Sequence, residues 1–177
     1  MAASTAKGTM ITNLEAAPVL QAGKGATGNG VKVAFVTEEV ATTSIDEIND
    51  IFLALPVPAG ARMLSLVLFN DDLDSNGSPT LAVDVGGYYG NDVTGQTAGT
   101  AIDVNNIASA ITTLQAANTT GVEILFGAQD INGIGKPLWE ILGLTRNPGG
   151  TIYIGMKATA AAATAAAGTV TLRALYV

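Results

Sequence analysis

Beyond residue 30 the chain alternates apolar and polar positions in short runs broken by clusters of Gly, Pro, Asn and Asp. Val31, Val33 and Phe35 alternate with Lys32, Ala34 and Val36, the period-two pattern of a half-buried strand. Ser44-Ile45-Asp46-Glu47-Ile48 predicts a turn leading into the apolar run Ile51–Leu55. Pro56-Val57-Pro58-Ala59-Gly60 predicts a stiff loop, because proline fixes φ and lacks an N–H. Arg62–Phe69 is a strand too apolar for one exposed face, buried on both sides or lying in a subunit interface. Asn70–Pro79 is dense in turn formers, and Asn76-Gly77 supplies the positive φ of a tight reversal. Thr80–Val85 alternates again, so Arg62–Phe69 and Thr80–Val85 are expected to pair as an antiparallel hairpin.

Gly86–Gly99 reads as a Gly-rich loop carrying Tyr88 and Tyr89, one tyrosine packing down and the other free to meet a partner or glycan. Over Asp103–Ala117 the spacing of Ile107, Ala110, Ile111 and Leu114 predicts a helix with Asp103 as its cap. Val122–Phe126 returns to strand, and Lys136–Gly143 reads as a short helix with Pro near its start and Gly at its end. Thr151–Lys157 and Thr169–Val177 are closing strands around the Ala/Thr-rich linker Ala158–Gly168. The pattern gives about seven strands with one or two short helical insertions, and hence a sandwich or barrel.

Residues 1–30 show no sustained periodicity and end in a Gly-rich stretch. They are expected to form a flexible arm, leaving residues 31–177 as one folded domain. Fully extended, such an arm reaches roughly 100 Å, enough to lie on a neighbouring subunit, with a plain disordered tail as the alternative.

Composition narrows the chemistry. The 177 residues contain no Cys and no His, which removes thiol nucleophiles, zinc–thiolate sites, disulfides and the Ser-His-Asp triad. Only 13% of residues are charged, against about 25% in an average domain, so much of the exterior is Ala, Thr, Ser, Asn and Gly unless neighbours cover it. The net charge is −7 and the eight basic residues are spread singly, without the patch or stripe that binds nucleic acid. Met1–Ala6 is small and polar with no apolar run after Lys7, and Ile51–Phe69 is interrupted by Pro56, Pro58, Gly60 and Arg62. Neither a secretion signal nor a membrane span is expected.

Asp72-Leu73-Asp74-Ser75-Asn76-Gly77 matches the first half of an EF-hand loop, but Val83 stands where the bidentate Glu belongs. A polar turn is the preferred reading, with weak calcium binding by Asp72, Asp74 and Asn76 left open. Gly23–Gly28 fits the bare dinucleotide pattern yet precedes a strand, and Gly135-Lys136 lacks the first Gly and the Ser/Thr of a P-loop. Glu38-Glu39 and Asp71-Asp72 could serve a glycosidase only in an aromatic-lined cleft, for which this chain is poorly supplied. Trp139, among Leu138, Ile141 and Leu142, reads as a core anchor. No catalytic, cofactor-binding or metal-ligating residue is assigned.

Val31–Val36 followed by Ala41–Ile48, Leu55-Pro56 to Arg62, Asp71–Thr80, Gly135–Glu140, and Ala160–Gly168 leading to Tyr176-Val177 together resemble tailed-bacteriophage virion proteins. The resemblance spans residues 31–177. It implies a jelly-roll-like β-sandwich, non-enzymatic and without cofactor. Its implied role is that of a decoration or cement protein on the outer surface of the head, clamping major capsid subunits and self-associating, a trimer being favoured. Nucleic acid and membrane are not expected partners. Head fibres, tail components and receptor-binding modules share the scaffold and form the alternative; a carboxylate-based hydrolase is the third class.

Overall fold

The computed structural model describes residues 30–44, 47–129 and 131–177. The expected arm, Gly30 excepted, and the Gly23–Gly28 motif lie outside the described residues. Within Lys32–Tyr176 the chain forms β1 (Lys32–Val40), β2 (Ile51–Pro58), β3 (Met63–Asn70), β4 (Ala82–Tyr89), β5 (Ala101–Ile111), β6 (Asn118–Glu123), β7 (Thr151–Ala160) and β8 (Gly168–Tyr176). Two four-stranded antiparallel sheets result, ordered β1-β8-β3-β6 and β2-β7-β4-β5. First pairs with last throughout: β1 with β8, β2 with β7, β3 with β6, β4 with β5. A long hairpin folded over on itself gives this nesting, and β3–β8 and β4–β7 pairing then joins the pairs into sheets. The expected sandwich is present, in the strand order of a jelly roll.

Leu55, Val57, Leu66, Leu68, Val83, Val85, Ile152, Ile154 and Leu172 fill the space between the sheets. Four connections (41–50, 71–81, 112–117 and 161–167) lie at one end of the strands, and three (59–62, 90–100 and 124–150) at the other. The second end is closed by α1 (Leu138–Ile141), which follows Pro137 and stops before Gly143 at φ 77°, as expected for Lys136–Gly143. The Leu138 and Trp139 N–H groups donate to the carbonyls of Ala61 and Ala59, at 2.7 and 3.1 Å. Trp139 packs half-buried against the core, the expected anchor.

Several local expectations fail for identifiable reasons. The β3–β4 hairpin does not form: β3 joins the first sheet and β4 the second, so 71–81 crosses between layers. β3 buries one face only, through Met63, Leu66 and Leu68, while Leu64 stays exposed. Pro56 and Pro58 lie inside β2 rather than in a loop, which an edge strand tolerates because its outer N–H groups need no partner. The expected helix over Asp103–Ala117 is instead β5 followed by a single 3-10 turn, Thr113–Gln115. Opposite β4, the two-residue step from Val85 to Gly87 faces a five-residue step from Ala108 to Asp103. The resulting bulge imitates helical spacing of apolar positions. Asp103 Oδ1 accepts from the N–H groups of Asn105 and Asn106 (3.0 and 2.8 Å), capping the bulge as it would cap a helix. The strand expected at Val122–Phe126 begins earlier, as β6, and ends at Glu123.

The Gly-rich loop also starts later than expected, because Gly86 and Gly87 are strand residues. A Cβ on Gly86 would lie 2.1 Å from the Asp103 carbonyl oxygen and 2.5 Å from the Val104 carbonyl carbon. Backbone cannot give way as a side-chain tip can. Gly86→Ala is therefore expected to cost about 3 kcal/mol in chemical denaturation. Gly77→Ala, with nothing within 4 Å, should change stability by under about 0.5 kcal/mol.

Candidate assembly surface

β1 is an edge strand whose faces differ in an unexpected way. Ala34 and Val36, the smaller apolar set, pack against the core, while Val33 and Phe35 point outward at 60% and 72% exposure. Nine large apolar side chains are exposed among the described residues, and six of them (Val31, Val33, Phe35, Ile48, Ile51 and Leu53) fall between residues 31 and 53. β2 is the matching edge of the other sheet and lies beside β1, so the two open edges along this flank both carry exposed apolar side chains, on the outer faces of their respective sheets. Soluble proteins usually blunt such edges with charge, proline or bulges. Here Pro56 and Pro58 protect only the second half of β2, and Glu38 and Glu39 only the far end of β1.

The outer face continues inward from Phe35 in register. Phe35 stands opposite Arg173 of β8, and Arg173 opposite Val67 of β3. The Arg173 guanidinium lies 5.5 Å from the centroid of the Phe69 ring, a cation–π contact. Phe69 in turn rests on β6 where Gly121, at φ 81°, leaves room; a Cβ there would come within 2.6 Å of the ring. Beside Phe69 an open groove of about 390 Å³ is bordered by Asn118, Thr119, Thr169 and Thr171.

The acidic residues singled out in the sequence do not converge on a cleft. Glu38 and Glu39 are successive strand residues and point to opposite faces. Asp71 Oδ2 accepts from the Thr169 N–H (2.8 Å), and Asp72 Oδ1 from that of Asp74 (3.0 Å). Asn76 Oδ1 accepts from the Ser78 N–H, and its amide donates to Thr164 Oγ1. Asp74 is fully buried and receives four backbone N–H bonds, from Thr80, Leu81, Ala163 and Thr164, at 2.7–3.0 Å. Burial pushes its carboxyl up, but those four bonds outweigh burial and hold it at about 2, below the ordinary 3.8. The EF-hand-like stretch thus turns its oxygens onto backbone donors and clips connection 71–81 to connection 161–167. Among the described residues no group of three or more acidic side chains is arranged to hold a metal ion. No helix among them is long and apolar enough to cross a membrane.

One of the two tyrosines packs down as expected. Tyr88 is fully buried, and its hydroxyl finds no hydrogen-bond partner. Burial first, then the charges of Asp84 and Asp103, push its phenol up to about 12. Tyr89 is half-buried at the end of β4 and borders a groove.

Known structures share this arrangement. A chain in the capsid of Ralstonia phage GP4 is 26% identical with a TM-score of 0.56, over 82% of this chain and 84% of that one. A chain in the cyanophage Pam1 capsid asymmetric unit is 22% identical with a TM-score of 0.52, over 83% of this chain and 84% of that one. The fold is one found in phage capsids. At 22% identity the second likeness speaks for the fold alone. No protein-family model and no curated protein matches the sequence.

What sequence reasoning missed was the direction of β1. Alternation of Val33 and Phe35 with Ala34 and Val36 fixes two faces but not which one is buried. The available signal was size: edge positions over a thin rim of core accept Ala and Val, leaving the larger side chains outside.

Proposed function

We propose that this chain is a non-enzymatic decoration or cement protein on the outer surface of a tailed-phage head, stabilising contacts between major capsid subunits. The likeness to the chain in the GP4 capsid supports a virion structural role. The observation that carries the finer reading is the apolar flank built by Val33, Phe35, Ile51 and Leu53 on two open sheet edges. A surface of that kind is costly in water and is explained by a partner that covers it. The net charge of −7 favours the outside of a shell over its DNA-facing side. In this reading residues 31–177 are the body and residues 1–30 an arm that reaches a neighbouring subunit. Self-association completes the assembly, with a trimer favoured.

The test is a quantitative protein inventory of purified particles combined with electron microscopy of the head. A copy number proportional to that of the major capsid protein, with density on the outer shell, is the expected result. Copies confined to the tail or to a fibre would replace the proposal with the receptor-binding alternative, and particles lacking the chain would remove both.

A further inference from the structure

At the strand end opposite the Asp74 clip, a polar groove of about 300 Å³ opens between connections 90–100 and 124–150. Tyr89 at the end of β4 borders it with Thr94 and Gln96 of the first connection and Thr145, Arg146 and Asn147 of the second. We infer that this groove binds a carboxylated sugar, with Tyr89 stacking on a ring, Arg146 pairing with the carboxylate, and the amides and hydroxyls meeting the ring oxygens. This does not rest on the decoration reading, because no residue bordering the groove belongs to β1 or β2 and its test uses the isolated protein.

Three observations carry the inference. The first is chemical contrast: the chain holds 15 acidic residues against eight basic ones, yet no acidic side chain borders this groove. Asp92, the acid in connection 90–100, is turned away onto the N–H and hydroxyl of Thr151, which draw its carboxyl below the ordinary range. Arg146 is exposed, and among the described residues no carboxylate forms an ion pair with it. A guanidinium left without a partner on an acidic protein is a local anion site that matches a carboxylate through two parallel N–H bonds.

The second observation is rigidity. Gly99 N–H donates to the Tyr89 carbonyl (2.8 Å) and Tyr89 N–H to that of Thr100 (2.9 Å), closing the first connection on itself. In the second, Leu144 N–H donates to the Trp139 carbonyl (3.0 Å) and Gly149 N–H to Asn147 Oδ1 (2.9 Å). Walls held this way lose little freedom when a ligand enters. The third observation is size and lining. The volume lies at the small end of ligand pockets and suits one or two sugar rings. A lone guanidinium without a basic stripe does not suit a nucleic-acid backbone.

The experiment is titration of the full chain, followed by amide chemical shifts, with trigalacturonate, 3′-sialyllactose and neutral maltotriose. Shifts confined to connections 90–100 and 144–150 with either acidic sugar, and weaker by about tenfold or more with maltotriose, are the expected result. The two acidic probes separate a uronic-acid polymer from a sialylated glycan as the source. Arg146→Gln should remove the preference for acid. Tyr89→Ala should weaken binding of every sugar, and unchanged melting temperatures would show that both variants fold. No shifts with any probe, or an acid preference that survives Arg146→Gln, would overturn the inference.

Discussion

Replacing Asp74 with alanine is expected to lower the unfolding free energy by about 3–5 kcal/mol. The carboxylate is fully buried and is the shared acceptor for four backbone N–H groups on two connections that are 89 and 90 residues apart from it in one case and 6 and 7 in the other. Alanine would leave the Leu81 N–H unpaired in the interior, while water could reach those of the exposed Thr80, Ala163 and Thr164. The cost therefore falls short of four independent losses. Asp74→Asn should cost less than alanine but more than a surface change, since one of its two polar atoms would face donors as a donor. Urea denaturation of the three proteins measures the order. A loss below about 1 kcal/mol for alanine, the size of an ordinary substitution, would show that the two connections hold together without the clip.

The same carboxylate sets an acid limit. Its folded value near 2 lies below the unfolded 3.8, so its stabilisation is complete above the unfolded value and is lost as pH falls through the folded one. Wild type should lose stability between about pH 4 and pH 2 more steeply than Asp74→Asn, which has no carboxyl to protonate there. A sandwich clipped by this carboxylate would withstand moderate acid and open its 71–81 end in strong acid.

The clip also shows how far the sequence could be read. A run of Asp, Asn, Ser and Gly between apolar segments announces a reversal, and the structure has one at 71–81. That Asp74 would be claimed by Ala163 and Thr164 depends on nested pairing of β3 with β8 and β4 with β7, which no local run encodes. The role of the Ala/Thr-rich linker is hidden for the same reason: it acts through its N–H groups, and backbone carries no sequence signature. Strands such as β7 and β8 were legible because alternation is a property of the segment itself. β5 was not, since its bulge replaces period two by a spacing close to that of a helix. The hairpin expected of β3 and β4 failed because short connections also suit a crossing from one layer to the other.

The second large effect concerns the apolar flank. The double variant Val33→Glu/Phe35→Glu is expected to fold with a stability change of about 1 kcal/mol or less, because both side chains already stand mostly in water. On the proposed decoration reading, its occupancy on assembled heads should nevertheless fall at least about 30-fold. Buried aromatic anchors at protein interfaces are each worth about 2–4 kcal/mol, and every 1.4 kcal/mol is tenfold in affinity. Two carboxylates forced under a partner would add their own desolvation cost. Ile134→Glu provides the comparison, since Ile134 is 59% exposed but lies in connection 124–150 and on neither β1 nor β2. Quantifying each variant against the major capsid protein in purified particles distinguishes two meanings of the exposed face. If the flank is the adhesive surface, the double variant leaves the shell and Ile134→Glu remains. If both remain, the apolar edge is an accident of a thin core rim, and the contact with the capsid must be sought on another face. If both leave, adhesion depends on apolar character spread over the whole exterior, and a single docking flank is the wrong description.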